Sequence, residues 1–170
     1  MKRLVQGALL AAGTALAISA VSAMPATAAA SGSETFSGTI VFSAVPGTTS
    51  RTVISSVVVA KGVFRGVGRY TEFPDLPSRV DLVFPSGTMH LVSTLGDLSF
   101  SINPHSCLFT GTQQLTWDVT GGTGQFGDAT GSVTGAVSTQ TLLARNPDGS
   151  CSYTALHEVD KFAESGTLSF

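Results

Sequence analysis

Tyr70 and Glu72 are the side chains in this chain whose types and spacing best suit chemistry. Two residues apart on an extended strand, a phenol and a carboxyl group project to the same side. In an apolar cavity such a pair can donate or withdraw a proton, and Gln113 brings an amide from a second segment to the same inward set. The same trio also suits a plain structural role, hydrogen-bonding among themselves or lining the mouth of a barrel. His90, His105 and His157 have no Ser or Cys nucleophile in a recognisable setting, so triad chemistry is not expected. His105 with Cys107, and Cys151 with His157, lack the close Cys/His spacings of zinc sites, and no metal is expected. The two cysteines, Cys107 and Cys151, instead form an even pair suited to one disulfide. The bridge would close a loop of about 45 residues, worth about 4 kcal/mol in the chain-entropy account.

The elements that position these groups are short alternating runs broken by Gly and Pro, the pattern of an all-β domain. Strands are predicted near 34–44, 51–60, 62–73, 79–84, 89–95, 98–102, 107–119, 129–143 and 150–168. The segment 155–163 suits a short helix as well as a strand. Turns are expected at Val45-Pro46-Gly47, Pro74 to Pro77, Pro85-Ser86-Gly87, Asn103-Pro104 and Asn146 to Gly149. In the second and third runs Ile54, Val58, Phe64, Tyr70 and Glu72 fall on one face, with the small Gly62, Gly66 and Gly68 between them. Lys61, Arg65 and Arg69 fall on the other, so the first set is expected inside. Phe109, Gln113, Leu115, Trp117 and Val119 form a second inward face, and Phe36, Gly38, Ile40 and Phe42 a third. A two-residue turn at Ser86-Gly87 puts Val80, Leu82, Phe84, Met89, Leu91 and Leu95 inside and His90 outside with Arg79 and Asp81. A three-residue turn would invert that set, but it segregates charge less well. Many strands with one apolar face each require two packed sheets or one closed sheet, which periodicity does not separate.

Composition sets the class. The 170 residues are 42% apolar and 12% charged, with a formal charge of −2, which excludes both a disordered chain and a basic nucleic-acid binder. Lys2 and Arg3, the apolar run from Gly7 to Val21 and the small residues up to Ala30 have the form of a secretory signal peptide. The apolar run is short of the ~20 residues of a membrane span. The expected organisation is therefore a removed signal, 1–30, and one domain, 31–170, secreted and extracellular. Without the signal the chain has 140 residues, seven basic and eleven acidic, for a net charge of −4. No nucleic acid and no membrane is expected as a partner.

Residues 121–131, GGTGQFGDATG, are the most distinctive run. A dinucleotide loop would lead into a long helix, whereas Ser132-Val133-Thr134-Gly135 follow here. Gly121, Gly122, Gly124 and Gly131 are instead predicted to build a tight structural turn, with Phe126 tucked back as a plug. The run resembles the G-G-T-G-x-F-x-x-A-x-G signature of the dirigent and allene-oxide-cyclase-like barrels, and the likeness extends over about residues 107–137. The resemblance implies a closed or nearly closed antiparallel barrel of about eight strands, of the calycin type. It also implies chemistry inside an apolar lumen, since members cyclise an allylic epoxide or steer radical coupling there without metal or nucleotide cofactor. The signature is a turn and carries no catalytic residue over to this chain. The expected function is then binding of a small apolar molecule, with Phe64, Phe109, Leu115 and Trp117 lining the site and no cofactor. A cyclase or isomerase acting in the same cavity is the second expectation, and an extracellular interaction module with a filled core the third.

Overall fold

The structure, a computed structural model, describes residues 30–45 and 50–170. The signal segment, apart from Ala30, and the tip of the Val45-Pro46-Gly47 turn lie outside the described residues. Eight strands follow one another around a single closed antiparallel barrel. They are β1 (Ser31–Ala44), β2 (Arg51–Gly62), β3 (Arg65–Phe73), β4 (Leu76–Phe84), β5 (Gly87–Asn103), β6 (Leu108–Gly122), β7 (Thr130–Arg145) and β8 (Cys151–Ser169). β8 pairs with both β7 and β1, so no sheet edge is left open. Closure answers the question that alternation left open, because a single ring buries every apolar face at once.

Where the strands depart from the sequence reading, a local irregularity is responsible. The runs near 89–95 and 98–102 are one strand, β5, whose register against β6 shifts between Leu95 and Leu98. The segment 155–163 is strand throughout, because β8 is hydrogen-bonded on both sides. Ile54 was expected inside but is 58% exposed. The register against β1 shifts here, Val41 facing Ser55 and Phe42 facing Val53, so Ile54 is the extra residue and parity reverses beyond it. Phe84 faces Gly87, which puts the β4–β5 turn at Pro85-Ser86 rather than Ser86-Gly87. The shift changes each pairing by two positions and leaves the faces as expected. Thus Val80, Leu82, Phe84, Met89 and Leu91 are buried, whereas Leu95, expected with them, is 60% exposed beside the cavity, where the β5–β6 register shifts. His90 lies on the outer face, its Nδ1 2.8 Å from Asp81 Oδ1.

The core fills one half of the barrel. Phe126, on a single 3-10 turn (Gly124–Phe126), is fully buried and packs edge-on against Phe64 and Phe170, with Phe84 beside it. It is the plug of that end. Inward glycines make room for large rings: a Cβ on Gly38 would stand 2.7 Å from the tip of the Phe162 ring. The Cys107–Cys151 disulfide ties the start of β6 to the start of β8, with Cα atoms 5.3 Å apart. It is compatible with an oxidising compartment.

Trp117 is 1% exposed and contacts Phe162 at 5.1 Å between ring centroids. Trp117→Ala is expected to cost about 3 kcal/mol in chemical denaturation, the lower end for a buried large aromatic. One side of the indole borders an existing cavity and so loses fewer contacts. A loss under about 1 kcal/mol would contradict its place in the core.

Candidate functional site

Above the packed half, the lumen is open. A cavity of about 390 Å³ extends from the aromatic floor towards the barrel end that carries Arg51, Glu72, Pro77, Leu143 and Tyr153. The volume lies in the range of small-ligand sites. Its floor is a set of rings, with Tyr70 6.5 Å from Phe42 and 6.4 Å from Trp117, and Trp117 against Phe162. Leu95, Leu98, Phe109, Leu115 and Val137 continue the apolar wall towards the mouth.

Of the residues singled out in the sequence, Tyr70, Glu72, Gln113, Phe109, Leu115 and Trp117 all line this cavity. Tyr70 Oη donates to Glu72 Oε2 at 3.4 Å. Burial, then the adjacent Glu72 carboxyl, push the Tyr70 phenol well above its ordinary pKa, so it is a hydrogen-bond donor at neutral pH. Gln113 does not join this pair. Its amide Nε2 donates to the Gly96 carbonyl at 2.9 Å, bracing the irregular stretch of β5. Phe64 is a correction. It lies in the bend between β2 and β3 and packs on Phe84 at 4.9 Å and Phe126 at 5.0 Å, in the plugged half and away from the cavity.

The structure adds a second polar wall that the sequence reading did not name. Glu158, Asp160 and Phe162 alternate inward along β8, and Thr139 and Thr141 face them from β7. Glu158 accepts from Thr141 Oγ1 at 3.1 Å and forms an ion pair with Arg51. The Arg51 guanidinium in turn lies 4.0 Å over the Phe42 ring. Asp160 is 9% exposed, and its Oδ1 has no hydrogen-bond partner. Burial raises the Asp160 carboxyl above its ordinary pKa, while a hydrogen bond from Thr139 and the charge of Arg51 act in the opposite direction. A usable signal was present in the alternation of Glu158, Asp160, Phe162, Glu164 and Leu168, which share one face once 155–163 is taken as strand.

Chemically, the arrangement is an amphipathic slot. It offers rings and aliphatic groups for a hydrocarbon body, together with a phenol, two threonine hydroxyls and three carboxyl groups for a polar end. Among the described residues no three His, Cys, Asp or Glu side chains converge as a metal site. Compared with protein-family models, curated proteins and solved structures, the chain matches none, so the likeness of residues 121–131 to the dirigent and allene-oxide-cyclase-like signature stands on that motif.

Proposed function

We propose that the protein is a secreted barrel that binds a small, mainly apolar molecule in its lumen, in the manner of the dirigent and allene-oxide-cyclase-like barrels it resembles. The observation that carries this reading is the cavity itself: about 390 Å³ left open above a ring of aromatic side chains, in a barrel whose other half is tightly plugged. A filled core would have favoured an interaction module. The signal-like segment and the Cys107–Cys151 bridge support export. Trp117 is the single tryptophan, so its fluorescence reports directly on the lumen. Titration with 1-octanol is expected to give a saturable change in that emission, and an unchanged spectrum up to the solubility limit would oppose the reading.

Glu72→Gln tests the polar end. Exchanging the carboxyl that receives the Tyr70 hydroxyl for an amide, whose oxygen still accepts, is expected to weaken octanol binding by about 1 kcal/mol. Melting should barely change, because Glu72 is only half-buried. Equal affinity of variant and wild type would remove Glu72 from the site.

A second reading, isomerisation or cyclisation in the same cavity, is favoured by Asp160, whose buried and partly unpaired carboxyl suits a general acid near the Tyr70 phenol. Its test is turnover of an allylic epoxide, with activity lost in Asp160→Asn.

A further inference from the structure

The charged groups around the cavity are unequal. Glu72, Glu158 and Asp160 present three carboxyl groups, against the single guanidinium of Arg51. Arg51 is already committed, paired with Glu158 and seated on the Phe42 ring. Glu158 is likewise engaged on both sides, by Arg51 and by Thr141. Asp160 is the acceptor left over: it is nine-tenths buried, faces the cavity, and keeps Oδ1 unpartnered. An unmatched carboxyl oxygen in such a place is costly unless something completes it.

We propose that the lumen selects a cationic amphiphile, an apolar body carrying one protonated amine whose ammonium group pairs with Asp160. This inference rests on the lumen being a binding site and names the class of molecule it prefers. An ammonium group supplies both the donor and the charge that Asp160 Oδ1 lacks. The Tyr70 ring, which lines the cavity, adds attraction for a cation that has left water. A neutral alcohol meets Asp160 with one hydrogen bond and no charge. A carboxylate ligand meets three carboxyl groups and an arginine already paired, so it is repelled. A bare metal ion does not fit, because the carboxyl groups do not converge as a metal-binding cluster.

The test is a matched series, octylamine, 1-octanol and octanoate, titrated into the full secreted protein at pH 7 with Trp117 fluorescence as the readout. Octylamine is expected to bind about tenfold or more tightly than octanol, and octanoate to bind weakest. In Asp160→Asn the amine-to-alcohol preference should fall towards one. The wild-type series decides without the variant, should the variant fold poorly. Equal binding of amine and alcohol, or strongest binding of octanoate, overturns the proposal while leaving the lumen as a binding site. Absence of binding by all three overturns both. A preference for the amine that survives intact in a folded Asp160→Asn also overturns the assignment to Asp160.

Discussion

Gly124→Val is expected to abolish recovery of folded protein, or to leave it destabilised by about 2–6 kcal/mol, against a total stability of about 5–15 kcal/mol for such a domain. Two independent effects add. Gly124 has φ +60°, a region in which a β-branched residue is strained. A Cβ there would also stand 2.3 Å from the Ser86 carbonyl oxygen, and the obstacle is backbone that cannot swing away. The same contact zone holds the plug in place. Thr123 N–H donates to the Thr88 carbonyl at 2.8 Å, and Gln125 N–H donates to the Ser86 carbonyl at 3.2 Å. Moving the loop to admit a side chain would therefore break these bonds and withdraw Phe126 from Phe64, Phe84 and Phe170. Gly127 is the control. Its φ is −50°, and a Cβ would meet only the Gly124 carbonyl at 3.7 Å. Gly127→Ala should stay within about 1 kcal/mol of wild type in urea denaturation. Similar stability for Gly124→Val would show that this loop needs no left-handed residue.

The contrast between those two glycines marks how far sequence reasoning reaches. The tight turn, the plug role of Phe126 and the inward sets of β1, β4 and β6 were legible because alternation and turn chemistry agree there. Ile54 was not, since one extra residue opposite the Val41/Phe42 step inverts the faces beyond it, and nothing in the local composition marks the site. Phe64 differs for another reason: alternation puts it inside, where it is, but gives the face of a residue and not its depth along the barrel, and Phe64 sits at the plugged end. Half of the candidate site followed from Tyr70, Glu72 and Trp117. The other half lies on β8, where Leu156, Val159 and Phe162 suit helix spacing as well as a strand, and only pairing with β1 and β7 decides between them. Burial of acids is also a tertiary property. Spacing says which side a carboxyl faces, but the depth of Glu164 and Asp160 depends on strands distant in the chain.

Glu164 gives the protein an expected loss of stability as pH rises from about 4.5 to 8. It lies on the inner face of β8, opposite Phe36 on β1 and Gly135 on β7, in the packed half of the barrel. It is 1% exposed, and neither carboxyl oxygen has a hydrogen-bond partner. Glu34, a second carboxyl at that depth, accepts from the N–H groups of Thr35 at 3.1 Å and Phe64 at 2.9 Å. Burial alone raises the Glu164 carboxyl from its ordinary 4.5 to about 8. Between those values the folded chain holds a proton that the unfolded chain has released, so folding is favoured at the acid end. That advantage is complete below 4.5 and is lost as pH climbs through 8, at up to about 1.4 kcal/mol per pH unit and approaching about 5 kcal/mol in all. Asp160 contributes with the same sign, since burial raises its carboxyl too. Asp148, lowered by its hydrogen bonds to Ser150, has the opposite sign but acts only below its ordinary 3.8. Urea midpoints at pH 5, 6.5 and 8 should therefore fall in that order. In Glu164→Gln, which keeps the shape and cannot ionise, the trend should flatten and the variant should exceed wild type at pH 8. A wild type more stable at pH 8 than at pH 5 would mean that Glu164 is not held neutral. A steep fall retained by the glutamine variant would move the cause to another carboxyl, Asp160 first, because it too is buried with an oxygen unmatched.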